Sequence, residues 1–412
     1  MNKLIAKPDN VKWFILFGIL ICLTIFIVEN INDRLKLNDF KVYYSAAEAL
    51  TQGKQVYGLP FGLSTGFYKY SPFTLLLFVP YTIVSFDVAR VIHFFLLSVC
   101  TISAIILLYR IVNNYLFEVK GKSGLLCLIL ICILNHLFRE LHLGNINVIL
   151  VLLVSMGVLF TLKSRFFLAG FLFALVIVTK PYFLLLMLPL VAYRKVGPLL
   201  GLAFSVFVFI LTPAFFLGID KNLQLHQDWV KSMLDHSSYL TSYNTIEYLI
   251  QYYLYPVKQG SIQNYVIALA GILYVLFFWG SNKMASRSTK PTHYKERTFL
   301  ISVFILMAVV PNLVVTDTEH FLLSLPLIVI LAGFLSTRKN YILTAGFVVL
   351  IFLYEGNSSD LLGKKLANQF DQWGVLGLSN LVLIAAVIYL YFKEGPKWKS
   401  IALNDTSANN IT

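Results

Sequence analysis

Long apolar runs separated by short polar or basic stretches fill most of the chain between residues 11 and 392. A helix needs about 20 apolar residues to cross the hydrocarbon core of a bilayer, and runs near that length recur along the chain. The pattern predicts an all-α polytopic membrane protein with about 12 transmembrane helices. The predicted spans are 11–28, 88–110, 123–138, 145–162, 165–180, 181–193, 197–218, 263–281, 298–315, 320–336, 340–354 and 376–392.

One further apolar run, PFTLLLFVPYTIVS at residues 72–85, does not fit this series. It is too short for a full crossing, and it contains Pro72 and Pro80. A crossing here would also reverse the side on which every later loop lies. The run therefore predicts a re-entrant or interfacial helix on the outer side, where protein or a cavity can satisfy its backbone.

Basic residues mark the short loops that follow every second span, and basic loops face the cytoplasm. The marked loops are 110–122, 163–165, 194–195, 283–297 and 338–339. Both ends of the chain are then cytoplasmic, the first run is a retained helix, and the long outer segments are 29–71 and 219–262. Residues 1–396 are predicted to form one transmembrane domain, with 397–412 as a cytoplasmic tail.

Composition agrees with this class, because 58% of the 412 residues are hydrophobic, only 13% are charged, and the mean hydropathy is +0.76. The net charge of +13 is explained by the cytoplasmic loops, so we expect a lipid bilayer and no nucleic acid as partner. All four cysteines lie in apolar segments and no histidine pair has the spacing of a metal site. No metal or cofactor is expected.

The segment LKLNDFKVYYSAAEAL, residues 35–50, places the carboxylate of Asp39 directly after the first span. One interpretation makes Asn38 or Asp39 the cap of an interfacial helix, since both residue types are good caps. The other makes Asp39 a general base at the membrane surface, where a partly desolvated carboxylate suits proton removal from a hydroxyl.

Aromatic residues gather beside this carboxylate, with Tyr43 and Tyr44 in the same segment and Tyr68 and Tyr70 in GFYKYSP. They are typical of an interfacial aromatic belt. They are equally typical of a sugar-binding site, because ring faces stack on sugar C–H groups. Spacing alone leaves both interpretations open.

Two later segments place basic or amide side chains on the same outer side. RELHLGNINV, residues 139–148, is predicted as an outer turn in which Arg139 and Asn147 either stabilise the turn or bind an anion. VTKPYF puts Lys180 between two short spans, so its ammonium either snorkels or serves as a phosphate counter-ion in a recess.

The remaining candidates lie later in the chain. His320, in VTDTEHF, begins a predicted helix and is either part of a capped helix start or a partner for phosphate or sugar. Asn244 lies in the second long outer segment, which is predicted to be a partly helical lid that covers an acceptor site.

The motifs DFKVYYSAAEAL, YKYSPF, HLGNINV, TKPYF and TEHF occur in the order found in a known family. Over about residues 11–336 the chain resembles the polyprenol-phosphate-mannose-dependent mannosyltransferases of glycosyltransferase family 87, which have the GT-C membrane fold. The family usually carries glutamine where this chain has Asn145, so the resemblance is assigned to Asn147 instead.

The resemblance implies an inverting, metal-independent glycosyltransferase that moves a hexose, mannose in the family, from a polyprenyl-phosphate donor to an extracytoplasmic glycan or glycolipid. It implies a multi-pass protein of the cell membrane with an extracytoplasmic active site. Asp39 would be the catalytic base. The donor would contact Lys180, His320, Arg139, Asn147 and Tyr70, and the acceptor Tyr43, Tyr44, Tyr68 and Asn244. A transporter or flippase of lipid-linked sugars is the alternative, and a purely structural membrane protein is a third possibility.

Overall fold

The computed structural model describes residues 11–62, 66–235, 243–254, 262–286, 291–338 and 340–398. Regular structure within these ranges is helical, apart from one isolated β-bridge between Pro60 and Phe67. The predicted all-α class is therefore confirmed. The predicted cytoplasmic tail lies almost entirely outside the described residues.

Eighteen α-helices occur in the described ranges. In chain order they are α1 (Lys12–Ile31), α2 (Asn38–Thr51), α3 (Pro72–Phe78), α4 (Phe86–Ile111), α5 (Lys122–Ile131), α6 (Leu134–Leu143), α7 (Asn147–Leu162), α8 (Phe166–Thr179), α9 (Met187–Ala192), α10 (Val196–Leu217), α11 (Ile219–Asp235), α12 (Ile246–Tyr253), α13 (Gln263–Ser286), α14 (Pro291–Leu313), α15 (Leu325–Ser336), α16 (Tyr341–Glu355), α17 (Ser359–Gln372) and α18 (Val375–Glu394). Short 3₁₀ segments occupy Val79–Ile83, Pro181–Leu186 and Thr318–Ser324.

The chain divides into two compact units, each made of separate stretches of sequence. The first unit comprises Met1–Gly18, Ile105–His136 and Thr241–Thr412. The second unit comprises Ile19–Ala104 and Leu137–Leu240. Each unit has its own buried apolar core, with Phe299 and Phe321 in the first and Phe40 and Phe173 in the second.

Seven helices of the described chain are long and apolar enough to cross a membrane, or eight if the bent pair α5 and α6 forms one span. The protein is therefore a multi-pass membrane protein. The figure of about 12 spans stays a prediction, because several predicted spans fold as helices of only 10–17 residues. Among these shorter helices are α7, α8, α16 and the segment Pro181–Ala192.

The run at 72–85 folds as predicted into a short helical segment, α3 followed by a 3₁₀ turn, before α4 begins at Phe86. Ser71 caps α3, since its hydroxyl accepts a hydrogen bond from the Thr74 amide at 3.2 Å. Protein covers this segment within the second unit: the Phe73 ring stacks on Phe209 with centroids 4.1 Å apart, and the Thr74 hydroxyl lies 3.2 Å from that of Thr179. The side of the membrane on which it lies stays a prediction.

The segment around residue 139 differs from its prediction as an outer turn. α6 continues through Arg139 and ends at Leu143, so the turn comprises only Gly144 to Ile146. The helix continues because Leu137, Glu140 and Leu141 share one buried face at helical spacing. Gly144 ends it with φ of +70°, a left-handed conformation that glycine adopts without strain.

In the first unit, a break in the helix separates α5 from the first turn of α6. The carboxylate of Glu355, at the end of α16, accepts hydrogen bonds from the amides of Asn135 at 2.7 Å and His136 at 3.4 Å. These amides belong to the first turn of α6 and have no partner within their own helix. Glu355 therefore supplies the capping group that the break would otherwise lack.

We expect the Glu355→Ala variant to be less stable by roughly 1–3 kcal/mol, because buried amide groups at the α6 N-terminus lose their acceptor. Thermal unfolding of the purified protein in detergent measures the effect. Glu118→Ala removes an exposed glutamate from the same unit and serves as the matched control. Equal melting temperatures for the two variants would contradict the capping role of Glu355.

Candidate active site

Asp39 lies in the first turn of α2, within the second unit. Leu37 occupies the N-cap position and makes no side-chain capping bond, so the interpretation of Asn38 or Asp39 as the cap is wrong. Asp39 Oδ2 instead accepts a hydrogen bond of 2.8 Å from Asn145 Nδ2. Asn145 Oδ1 accepts from the Ile146 amide at 2.8 Å, which leaves the NH₂ end of this side chain directed at the carboxylate.

The turn at Gly144 sets the position of Asn145 against α2. The Gly144 carbonyl bonds His93 Nε2 at 3.0 Å, and the His93 ring stacks on Phe40 with centroids 4.1 Å apart. A Cβ atom at Gly144 would lie 2.8 Å from Cβ of Phe40, the residue next to Asp39. The backbone of the turn therefore contacts the first turn of α2 with no space for a side chain.

Lys180 is the residue that ends α8, and Pro181 follows it. Only 4% of Lys180 is exposed, which argues against a snorkelling side chain. Its ammonium donates a hydrogen bond of 2.7 Å to Asn147 Oδ1 and lies 5.8 Å from the centroid of the Tyr70 ring. A buried cation requires such partners, because an isolated charge in an apolar region is strongly unfavourable.

Asn147 connects Lys180 to a buried acid. Asn147 Nδ2 donates to Glu140 Oε2 at 2.9 Å, and the Val148 amide donates to Glu140 Oε1 at 3.0 Å. Both Asn147 and Glu140 are fully buried.

Tyrosines form the aromatic side of the site. The hydroxyls of Tyr43 and Tyr70 lie 2.8 Å apart, and the Tyr57 hydroxyl donates to the Tyr70 carbonyl at 2.8 Å. Tyr68 is fully buried between them, and its ring is 5.8 Å from that of Tyr70. Burial raises the pKa of Tyr43 well above 10, and Tyr70 and Asp39 add to the rise, so Tyr43 remains a neutral hydroxyl at physiological pH.

These residues form a series, which we call the polar ring, in which four neighbouring pairs are in contact and the other two pairs are close only along the chain. Asp39 and Tyr43 are one turn apart on α2, and Asn145 and Asn147 are two residues apart in the chain. Hydrogen bonds or ring contacts join the remaining neighbours. In order, the polar ring consists of Asp39, Tyr43, Tyr70, Lys180, Asn147 and Asn145.

Arg139 and Tyr44, two predicted site residues of the second unit, are not part of the polar ring. Arg139 is exposed on α6, whereas the adjacent Glu140 is buried. The Tyr44 hydroxyl donates to the Val84 carbonyl at 2.8 Å, a contact that joins α2 to the loop before α4. The binding roles assigned to Arg139 and Tyr44 stay predictions.

His320 and Asn244 belong to the first unit. His320 lies in the 3₁₀ segment before α15, where a helix start was predicted, and its Nδ1 atom is 3.3 Å from Glu319 Oε1. Asn244 Oδ1 accepts from the Gly377 amide at 3.0 Å, and the Asn244 carbonyl accepts from Asn312 Nδ2 at 2.8 Å. Their donor and acceptor roles stay predictions.

The second long outer segment is partly helical, as predicted, because α11 and α12 lie in its described parts. Trp229 on α11 donates its indole N–H to the Lys69 carbonyl at 2.9 Å. This bond joins α11 to the segment that carries Tyr68 and Tyr70. A lid function for α11 and α12 stays a prediction.

Two residues of this site are not among those predicted from the sequence. The family resemblance favours Asn147 over Asn145, yet Asn145 is the side chain that bonds Asp39. Glu140 lies in the segment that the sequence predicts as an outer turn. Its spacing from Leu137 and Leu141 was the available signal, because this helical period places a carboxylate on an apolar face.

No group of three His, Cys, Asp or Glu side chains with the arrangement of a metal site occurs in the described residues. The polar ring instead offers a carboxylate, an ammonium, amides and phenols. This combination suits removal of a proton from one molecule and charge stabilisation on another.

Comparison with known proteins identifies the family. The model of glycosyltransferase family 87 matches residues 67–311, which is more than half of the chain. The chain belongs to glycosyltransferase family 87. No curated protein sequence matches this glycosyltransferase.

The family 87 match contains most of the polar ring. Tyr70, Asn145, Asn147 and Lys180 lie inside the matched residues. Asp39 lies before them, and a hydrogen bond joins it to the matched part through Asn145. As a family 87 member, the protein is an enzyme that transfers glycosyl groups.

In this glycosyltransferase, we expect Gly144→Ala to lower stability by roughly 2–4 kcal/mol, because a methyl group combines left-handed strain with overpacking against Phe40. Gly53→Ala is the matched control, since Gly53 has φ of +69° but no atom within 4 Å of its added Cβ. The control should be destabilised only by the left-handed strain, about 1–2 kcal/mol.

Thermal unfolding of both variants in the same detergent measures the difference. A Gly144→Ala melting temperature equal to that of Gly53→Ala would show that the turn does not pack tightly on α2.

Proposed function

We propose that this glycosyltransferase is inverting and metal-independent and transfers a hexose, mannose, from a polyprenyl-phosphate donor to an extracytoplasmic glycan or glycolipid. The observation that carries the proposal is the polar ring, in which the Asp39 carboxylate bonds Asn145 and the buried Lys180 ammonium bonds Asn147, two residues further along the chain. An acceptor hydroxyl needs the first group and a departing phosphate needs the second.

In the proposed reaction, Asp39 accepts the proton of the acceptor hydroxyl. The hydroxyl oxygen forms a bond to the anomeric carbon as the bond from that carbon to the phosphate oxygen breaks. The electron pair of the broken bond remains on the lipid phosphate, which leaves from the opposite face. One carboxylate is sufficient, because phosphate leaves without a proton from a general acid.

Lys180 is the proposed partner of the phosphate, since a fixed positive charge stabilises the negative charge that develops as the lipid departs. Asn147 and Tyr70 hold the Lys180 side chain in place through a hydrogen bond and a ring contact. Arg139 is proposed as an additional donor contact.

Asn145 supports the role of Asp39. Its NH₂ group donates to Asp39 Oδ2 and so fixes the orientation of the carboxylate that is proposed to accept the proton. The rings of Tyr43 and Tyr68 are proposed to contact the acceptor sugar, and Tyr44 is proposed as a further acceptor contact.

We expect Asp39→Asn to lower sugar transfer by at least ~100-fold, because an amide cannot take up the proton. The assay follows radiolabelled mannose from polyprenyl-phosphate mannose into acceptor glycolipid with purified enzyme. Asp87→Asn is the matched control, since Asp87 is an exposed aspartate of the same unit. Normal turnover by a folded Asp39→Asn variant would remove Asp39 as the base.

The proposed side of the membrane gives a separate expectation. Single cysteines replace Ser85, Lys120 or Ser359, which are exposed, in a chain without its four native cysteines. An impermeant thiol reagent on intact cells should label positions 85 and 359 but not 120, because the basic loop at 110–122 is cytoplasmic. Labelling at 120 together with protection at 359 would reverse the assigned orientation.

A further inference from the structure

Glu140 has no part in the reaction described above, yet it is a fully buried acid directly beside the polar ring. A buried carboxylate is unfavourable unless hydrogen bonds and charges compensate it. A fully buried glutamate is therefore expected to have a specific structural or functional role.

One task of Glu140 is local and structural. α7 begins at Asn147, and Ile146 in the N-cap position has no side chain able to accept a hydrogen bond. The Glu140 carboxylate replaces the missing cap by accepting from the Val148 amide at 3.0 Å. Negative charge at a helix N-terminus is also favoured by the helix dipole.

A second consequence follows from the chemistry of the Asn147 amide. The Glu140 carboxylate accepts a hydrogen bond from Asn147 Nδ2, so the NH₂ end of Asn147 faces Glu140. The carbonyl end of Asn147 then faces Lys180, which only donates. The contacts of 2.9 Å and 2.7 Å on the two sides of Asn147 have this polarity.

We propose that Glu140 is a positioning residue that orients the Asn147 amide, so that Asn147 holds the Lys180 ammonium where donor phosphate binds. The inference rests on the proposed function for the role of Lys180. The orientation of the amide depends only on the hydrogen bonds around Asn147.

Glu140→Gln provides the first test, because it retains the size of the side chain but makes one end a donor. If its oxygen keeps the Val148 amide, its NH₂ group faces Asn147. Asn147 must then turn its oxygen toward position 140 and its NH₂ group toward Lys180. Two donors would face each other, and Lys180 would move.

The double variant Glu140→Gln/Asn147→Asp exchanges the carboxylate and the amide. The NH₂ group of Gln can donate to the new carboxylate at 147, and that carboxylate can accept from Lys180. The number of donors, acceptors and charges equals that of the wild type. If Glu140 only filled space, Asn147→Asp would not be expected to restore the function lost in Glu140→Gln.

The measurements are the KM for polyprenyl-phosphate mannose, the KM for acceptor and kcat. We expect Glu140→Gln to raise the donor KM roughly 10- to 100-fold, because a hydrogen bond to a charged group is lost, with little change in acceptor KM. The double variant should recover most of this loss. Glu48→Gln, at an exposed position of the same unit, is the control.

Two results would overturn the proposal: a wild-type donor KM for a folded Glu140→Gln enzyme, or a double variant no better than Glu140→Gln. If Glu140→Gln does not fold, Asn147→Ala removes the acceptor of Lys180 while keeping the bond between Glu140 and Val148. An unchanged donor KM for Asn147→Ala would likewise contradict the proposal.

A second readout separates this inference from the proposed function. Melting temperatures of the same variants, measured without substrate, should fall for Glu140→Gln and rise again in the double variant. The proposed function fails if the wild type does not transfer mannose and its melting temperature does not rise with geranylgeranyl phosphate. Even then, a fall in melting temperature for Glu140→Gln and its recovery in the double variant would support the orientation of the Asn147 amide. If the wild type transfers mannose but the double variant does not recover the melting temperature lost in Glu140→Gln, the role of Glu140 is contradicted and the proposed function is not.

Discussion

The hydrogen bond from the buried Lys180 ammonium to Asn147 is the interaction on which the candidate site depends. A charge in an apolar region requires compensating partners, and these partners must be held in place. Asn147 is held by Glu140, and the Tyr70 ring faces the ammonium from another segment. Loss of one partner would leave the others buried without their hydrogen bonds, so the polar ring is expected to act as a unit.

The site is built from helix ends. Asp39 lies at the N-terminus of α2 and Asn147 at that of α7, whereas Lys180 lies at the C-terminus of α8. Helix ends leave backbone groups without partners, which polar side chains can satisfy. The dipoles agree with the charges, since acids lie near N-termini and the lysine near a C-terminus.

These features lead to a division of roles within one family 87 glycosyltransferase. Asp39 and Asn145 form the part that suits proton removal, and Lys180 and Asn147 the part that suits a phosphate. Gly144 joins the two parts, because the turn that it permits carries both asparagines into contact with their partners. The buried tyrosines provide neutral hydroxyls and ring faces between them.

The sequence by itself determined the membrane class, the short helix at 72–85, and the segments that carry Asp39, Tyr70, Asn147 and Lys180. Apolar periodicity and the placement of prolines are local properties, so they can be read from neighbouring residues. The family followed from the order of the motifs. The hydrogen bond of Asn145 to Asp39 and the burial of Glu140 were not predicted from the motifs.

Only the tertiary structure decided which polar side chains meet. Asp39 and Asn145 are separated by more than 100 residues in the chain, and their contact arises because the Gly144 backbone packs on Phe40. The exposed Arg139 and the buried Glu140 are neighbours in sequence but face opposite environments, since consecutive residues point to different sides of a helix. A local pattern cannot specify such pairings, because they depend on how distant helices pack against one another.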